Sequence, residues 1–519
     1  MWVPLTPLDF YRRGRRLFAA KTAVVDEGRR LSFGQLADRI ERLAGALRAA
    51  GCRPREAVSF LSPNASALIE AFYAAPLGGG VLHPVNPRRE ALEIAELLND
   101  AGSRLLFFHA SLAPLVGQIV GNLKAVEQLV VVEGEPAGLG FPAMAYETLL
   151  SRATPYAPDL TALDENAPAA LFHTSGGASK PRGAVLSHRA LALHALYAVI
   201  AMGLREEDVS LCSVPFAYMN GGGNPQINLA VGATSILARR NDPETLLGLM
   251  AREKVTVWIT APFVLSRLLR SPALPAADVD SLRLVLVGGA PLPDAVLAEA
   301  EQRLGARCLA VYGLTETAPF VSAAFPKSTL APERRRAVQS TAGLPVLGVE
   351  VQVVDETGRE VTADGESPGE IVVRGNNVMT AYHHDPEATQ EALKGGFLHT
   401  GDLATVDAEG YLRLRERTKD VVLVDGQKIA AREIEAGLTS HPDVVECAVI
   451  AAADPARGEV PVGLVVLRAG ARVTEHELRE HAARQLTAFK VPQRIEFLKS
   501  LPKSEAGEIL KSDLKTLYA

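Results

Sequence analysis

LRLVLVGG at 282–289, a helix-forming run from Pro293 to Gly305, and RCLAVYG at 307–313 constrain the fold of this chain more than any other stretch. Two apolar strands joined by an amphipathic helix read as a βαβ unit. Proline at the helix start and glycine at its end match the preferences of helix termini. Short buried-type strands alternate with amphipathic helices through most of the first 330 residues, which predicts layered α/β structure with parallel sheets. Ligands gather at the carboxyl ends of strands in such sheets. The turns Gly288-Gly289-Ala290 and Gly313-Leu314-Thr315-Glu316 should therefore be neighbours at a site.

One helix is readable in detail. Ser32 and Gln35 form a capping-box pair, Leu36, Ile40, Leu43 and Leu47 recur at helical spacing, and Gly51 supplies the left-handed stop. From about residue 343 the texture changes to strands separated by Gly and Asp turns, in VEVQVVDETGREV, GEIVVRG and GYLRLRERTKDVVLVDG, which predicts a β-rich subdomain. Beyond it VVECAVIAA, VPVGLVVL and a helix capped by Thr474 and Glu477 form a small α+β pattern. The expected organisation is a large N-terminal domain (1–416), a hinge (417–420) and a small C-terminal domain (421–519).

The balance of 54 Lys plus Arg against 60 Asp plus Glu gives a net charge of −6, with no basic excess for a nucleic acid backbone. Arg12, Arg13, Arg15 and Arg16 form a local cluster that reads as a solvated helix face rather than a phosphate- or lipid-binding patch. Cys52, Cys212, Cys308 and Cys447 are too dispersed for a disulfide framework or a zinc spacing, and each is expected to be a small core residue in a cytoplasmic protein. The apolar segment Leu191–Leu204 is interrupted by His194 and too short to span a bilayer.

TSGGASKPRG, from Thr174 to Gly183, packs small residues, hydroxyls and cations into ten positions. Small residues let backbone N–H groups approach an anion, and Lys180 and Arg182 neutralise it. Alone, such a loop is equally consistent with a plain turn. Order supplies the specificity. GGAPLP (288–293), YGLTET (312–317), HTGDLATVDAEGYLRL (399–414), RTKD (417–420), GQKIAAREIE (426–435), FKVP (489–492) and LPKSEAGEIL (501–510) follow in turn. Together they resemble the adenylate-forming superfamily of acyl-CoA synthetases, luciferases and peptide-synthetase adenylation domains.

The resemblance implies two half-reactions with a rotating C-terminal domain between them. A carboxylate attacks the α-phosphate of ATP to give acyl-AMP and pyrophosphate, and the thiol of coenzyme A then displaces AMP. It implies that Gly289, Ala290, Pro291, Tyr312, Gly313, Leu314, Thr315 and Glu316 lie beside adenine and phosphate, and that Asp402 and Arg417 hold the ribose. A carboxylate accepts from both ribose hydroxyls while a guanidinium donates. Lys419 stands at the hinge position, and Gly426 where a missing side chain lets the pantetheine arm pass. Glu316 matches a metal position, should magnesium be used.

Two departures stand out. The family's C-terminal motif ends in Gly-Lys, and that lysine neutralises charge during adenylation; here the pair is Gly507 and Glu508. One charge at 4 Å is worth about 4 kcal/mol at an effective dielectric of 20, so inverting its sign works strongly against adenylation. The phosphate loop, Thr174, Ser175, Gly176, Gly177, Ala178, Ser179 and Lys180, also departs. Gly177 and Ala178 occupy hydroxyl positions, Ser179 a glycine position and Arg182 a lysine position. The losses fall on the pyrophosphate side, whereas the positions matching AMP and pantetheine contacts are retained.

The expectation is therefore an enzyme for the second half-reaction only, taking preformed acyl-adenylate and coenzyme A to acyl-CoA and AMP, with a separate adenylating enzyme as partner. This resembles the non-adenylating acyl-CoA ligases of diterpenoid antibiotic pathways. One alternative is a complete ATP-dependent synthetase in which Lys490, Lys503 or Lys511 substitutes; another is a catalytically silent nucleotide- or acyl-binding member. For the acyl group, Tyr218 stands at the family's histidine position near the thioester tunnel. Gly221, Gly222 and Gly223 leave room for a bulky acid or simply begin a helix. Trp258 reads as core rather than pocket lining.

Overall fold

The computed structural model describes residues 2–174, 181–290, 292–417, 421–424, 427–454, 458–486, 490–503 and 509–518. The chain forms two compact units. The first comprises 1–174, 182–350 and 373–398; the second comprises 175–181, 351–372 and 399–519.

The first unit is built on two large sheets. One runs in the order Leu344–Pro345, Phe320–Ala323, Arg307–Gly313, Leu284–Val287, Val257–Thr260, Val209–Cys212, Thr234–Leu237, Thr22–Asp26, Arg29–Ser32. Its centre is parallel, and its strands are almost wholly apolar because helices cover both faces. The other runs Ala381–Tyr382, Gly183–Ser187, Pro168–His173, Val81–Val85, Ala57–Leu61, Leu105–His109, Gln128–Val132, Met144–Ala145.

The expected βαβ unit is present: Leu284–Val287, the helix Asp294–Leu304 stopped by Gly305 at φ +64°, and Arg307–Gly313 paired parallel to the first strand. The helix Phe33–Ala49 carries the Ser32–Gln35 capping box, buries Leu36, Ile40, Leu43 and Leu47, and ends before Gly51 at φ +73°. Trp258 is fully buried, its Nε1 donating to Ser213 Oγ at 2.9 Å, and the core closes around it. Cys212, Cys308 and Cys447 are buried as expected, while Cys52 is only half-buried.

The arginine cluster keeps Arg16 exposed, as a solvated helix face predicts, while Arg12, Arg13 and Arg15 are half-buried and partnered. On the helix Leu8–Phe18, Arg12 donates to Pro158 O at 2.5 Å, Arg13 to Ala230 O at 3.1 Å, and Arg15 pairs with Asp38 and Glu41. These side chains tie the helix to its neighbours, since a long stem carrying five donors reaches both carbonyl and carboxylate oxygens on adjacent segments. The apolar segment around His194 forms the helix His188–Met202, and among the described residues no helix is long and apolar enough to cross a membrane.

The β-rich texture after 343 becomes a four-stranded sheet, Val349–Val354, Gly369–Gly375, Leu398–Val406, Leu412–Arg417. The last part of the second unit is a sheet of Gln427–Ala430, Val421–Val424, Gly458–Leu467 and Val444–Asp454, with Arg494–Phe497 added parallel to Gly458–Leu467. The helices Ala431–Thr439 and Glu475–Ala483 pack on it through Ile434, Leu438, Leu478 and Ala482. Thr474 and Glu477 form the expected capping box.

Candidate active site

Parallel pairing of Leu284–Val287 with Arg307–Gly313 brings the carboxyl ends of both strands to one edge. A Cβ built on Gly288 would lie 2.8 Å from Val311 Cγ2, so the two predicted turns are neighbours. Gly289 adopts φ +90° and Ala290 is half-buried; Pro291 lies outside the described residues. Tyr312 is buried at the strand end. Gly313 is required there, because a Cβ would sit 1.5 Å from Pro319 O.

A short 3-10 turn, Thr315–Thr317, follows. Leu314 N donates to Thr317 Oγ1 at 3.0 Å, and Thr317 Oγ1 lies within hydrogen-bond distance of Leu314 O and Pro319 O. The buried Asn377 donates to Thr317 O and Phe320 O. Met379 N donates to Glu316 O at 2.7 Å, and Tyr382 OH donates to Glu316 Oε1 at 2.8 Å. Burial and the adjacent Glu316 carboxylate raise the Tyr382 pKa, so the phenol keeps its proton and remains a donor. Thr315 and Glu316 are thus held, half-buried, at the carboxyl edge of the sheet. Sequence reading missed Asn377 and Tyr382, because their roles depend on contacts some 60 residues away along the chain.

Of the phosphate loop only Thr174 is described; Ser175, Gly176, Gly177, Ala178, Ser179 and Lys180 lie outside the described residues. Thr174 N donates to Arg182 O at 2.9 Å, which closes the base of the loop. The exposed Arg182 lies over the Tyr382 ring at 5.6 Å and 3.4 Å from Asp385 Oδ2.

In the second unit, Asp402 is buried on the strand Leu398–Val406, directly after Gly401 at φ +71°. The approach to it is built by Glu370, which accepts from Gly401 N at 2.9 Å, and by Thr400 Oγ1, which accepts from Asp402 N at 3.1 Å. Asp402 and Arg417 are direct cross-strand partners in the antiparallel register. Two residues 15 positions apart, singled out for one sugar, are therefore register partners in the ladder. Lys419, Gly426, Gly507 and Glu508 lie outside the described residues. Each candidate substitute lysine is paired: Lys490 with Glu433 at 2.6 Å, Lys511 with Glu435 at 2.8 Å, and Lys503 with Glu446.

The glycine run begins a helix that is closely packed on its glycine side. Tyr218 immediately precedes the helix Met219–Val231, and its hydroxyl accepts from Asn86 Nδ2 at 2.9 Å. A Cβ on Gly221 would lie 2.1 Å from Pro215 O, on Gly222 2.5 Å from Phe72 Cζ, and on Gly223 2.6 Å from His194 Nε2. The three glycines lie in the first turns of that helix and let neighbouring protein atoms approach it closely, which agrees with the reading of the run as a helix entry.

Comparison with known proteins agrees with this arrangement. A family model described as AMP-binding enzyme matches residues 11–383, and one described as AMP-binding enzyme C-terminal domain matches 433–508. A long-chain-fatty-acid–CoA ligase of Thermus thermophilus is 36% identical over 522 residues, covering 98% of this chain and 95% of that protein. A feruloyl-CoA synthase of an Amycolatopsis species is 34% identical over 510 residues, covering 98% of each. The crystal structure of an anthranilate CoA ligase in complex with anthranoyl-AMP superposes with a TM-score of 0.89 at 25% identity, over 100% of this chain and 98% of that one.

Proposed function

Because the chain belongs to the AMP-binding enzyme family, in its acyl-CoA ligase branch, we propose that it joins a carboxylic acid to coenzyme A through an acyl-adenylate and runs the complete AMP-forming reaction. The carboxylate oxygen attacks the α-phosphorus of ATP and pyrophosphate leaves. The thiolate of coenzyme A then attacks the acyl carbon and AMP leaves with the bond electrons. The observation that carries this reading is the turn Gly313–Glu316, held at the carboxyl edge of a parallel sheet by Asn377 and Tyr382. The cross-strand pair of Asp402 and Arg417 supports it. The activities for which these relatives are named, fatty-acid and ferulate ligation to coenzyme A, favour the complete reaction.

In this reading Gly289, Ala290, Pro291, Tyr312, Gly313 and Leu314 receive the base, Thr315 donates to phosphate, and Asp402 and Arg417 bind the ribose. Residues 417–420 act as the hinge between domains 1–416 and 421–519. Glu316 offers a hard carboxylate oxygen beside the one held by Tyr382, which fits a magnesium ion taking its other ligands from water and phosphate. When bound, that ion would offset phosphate charge. Glu508 cannot do so, and a lysine must replace the family's amine. Lys490, Lys503 and Lys511 would each leave a carboxylate partner, and the largely buried Lys511–Glu435 pair is the costliest of the three to break.

A second reading keeps only thioester formation, with the acyl-adenylate supplied by another enzyme. It rests on Glu508 and on Gly177, Ala178 and Ser179 in the phosphate loop. Acid-dependent exchange of labelled pyrophosphate into ATP separates the two. Exchange by this chain alone supports the complete reaction; none at high enzyme concentration, alongside thioester formation from synthetic acyl-AMP, supports the second.

A further inference from the structure

Away from the residues assigned above, Asp100, His383 and His384 each offer one ligand atom, all within 4.8 Å of one another. Asp100 ends the helix Ala91–Ala101, and the two histidines follow the strand Ala381–Tyr382. Behind Asp100 stands a buried polar chain. His173 Nε2 lies 3.3 Å from Asp100 Oδ2, His173 Nδ1 lies 2.9 Å from His83 Nε2, and His83 Nδ1 lies 2.8 Å from Ser59 Oγ. We propose that Asp100, His383 and His384 bind one divalent transition-metal ion of the zinc class, with His173 and His83 orienting the carboxylate.

Three features carry this assignment. Two imidazoles and one carboxylate form a nitrogen-rich donor set that suits zinc or cobalt, whereas magnesium prefers oxygen alone. His383 Nε2 lies 3.2 Å from Asp100 O, so donation to that carbonyl fixes the tautomer and presents Nδ1 as a lone-pair donor, the usual second-sphere arrangement of a metal-bound histidine. His384 has φ +53°, a conformation that costs a non-glycine residue about 1 kcal/mol. Successive residues of an extended strand point to opposite faces, yet this backbone brings the two rings to 3.7 Å between centroids.

The site lies at the base of the phosphate loop. His383 N donates to Gly183 O at 2.7 Å, and His173 immediately precedes Thr174. An ion there would fasten the segments that enter and leave residues 175–180 to the helix Ala91–Ala101. This holds whichever half-reaction the enzyme performs.

The test uses the full chain, stripped with a chelator and titrated with Zn²⁺ or Co²⁺ in equilibrium dialysis, with the visible absorption of bound Co²⁺ as a second readout. One equivalent is expected. His384→Ala and Asp100→Asn should weaken binding at least ~10-fold and His173→Gln by ~10- to 100-fold, while His476→Ala leaves it unchanged. His384 is exposed, so its variant keeps the fold, checked by an unchanged melting temperature without metal. Absence of a stoichiometric ion, or one bound equally tightly by His384→Ala, would overturn the assignment.

Discussion

Arg417 is the residue whose role is most sharply exposed to test. Its register opposite Asp402 comes from the antiparallel ladder, whereas its assignment to the ribose comes from the RTKD motif. Losing a charge-assisted hydrogen bond costs roughly 1.5 to 3 kcal/mol, so Arg417→Ala is expected to weaken AMP binding about 10- to 100-fold by calorimetry with little change in melting temperature. Unaltered AMP affinity would remove Arg417 from the site. His188 gives a different signal. Burial lowers its pKa to about 4, against an ordinary value of 6.5, and its Nδ1 lies 3.0 Å from Thr6 Oγ1. Between these values the unfolded chain binds a proton that the folded chain refuses, so stability is lost as pH falls from about 6.5 towards 4. The loss at pH 5 should be about 2 kcal/mol. Urea unfolding should show a smaller fall between pH 7.5 and pH 5 in His188→Asn than in the parent; equal falls would mean that this histidine protonates freely. Neither Asp100 nor the histidines around it were legible as a group, because residues 83, 100, 173 and 383 meet only through the sheet.

At the level of elements, patterns that close within a few turns were legible and long-range packing was not. The capping boxes at Ser32–Gln35 and Thr474–Glu477, the stop at Gly51 and the βαβ unit ending at Gly313 depend on neighbouring residues, and all form as read. The surroundings of Gly221–Gly223 depend instead on Phe72, His194 and Pro215, so composition alone left an open space and a plain helix entry both standing, and only the packing shows the helix entry. The same consideration makes Gly313 the most demanding position in the YGLTET turn. Gly313→Ala places a Cβ on Pro319 O and must move the turn, an overpacking cost of about 3 kcal/mol or more. The expected result is a lower melting temperature together with at least ~10-fold weaker AMP binding. A variant that melts and binds AMP like the parent would mean that the turn is not as tightly held as its hydrogen bonds indicate.

For the whole molecule the open question is how charge is balanced during adenylation. Full-length relatives named for ligation to coenzyme A favour the complete reaction, while Glu508 opposes its first step. Replacing this acid by an amine removes a repulsion and adds an attraction, each worth up to about 4 kcal/mol before screening. Glu508→Lys is expected to raise acid-dependent pyrophosphate exchange by ~10-fold or more and to leave thioester formation from acyl-AMP within ~2-fold, since that step needs no charge at this position. An unchanged exchange rate would place the limit in the altered phosphate loop instead. The most direct measurement is single-turnover conversion of synthetic acyl-AMP and coenzyme A by the purified chain, across a panel of fatty and aromatic acyl groups. The account predicts stoichiometric acyl-CoA and AMP for at least one of them, lost in Arg417→Ala at sub-saturating acyl-AMP. Binding of acyl-AMP without any thioester product would contradict it and leave a nucleotide-binding protein without ligase activity.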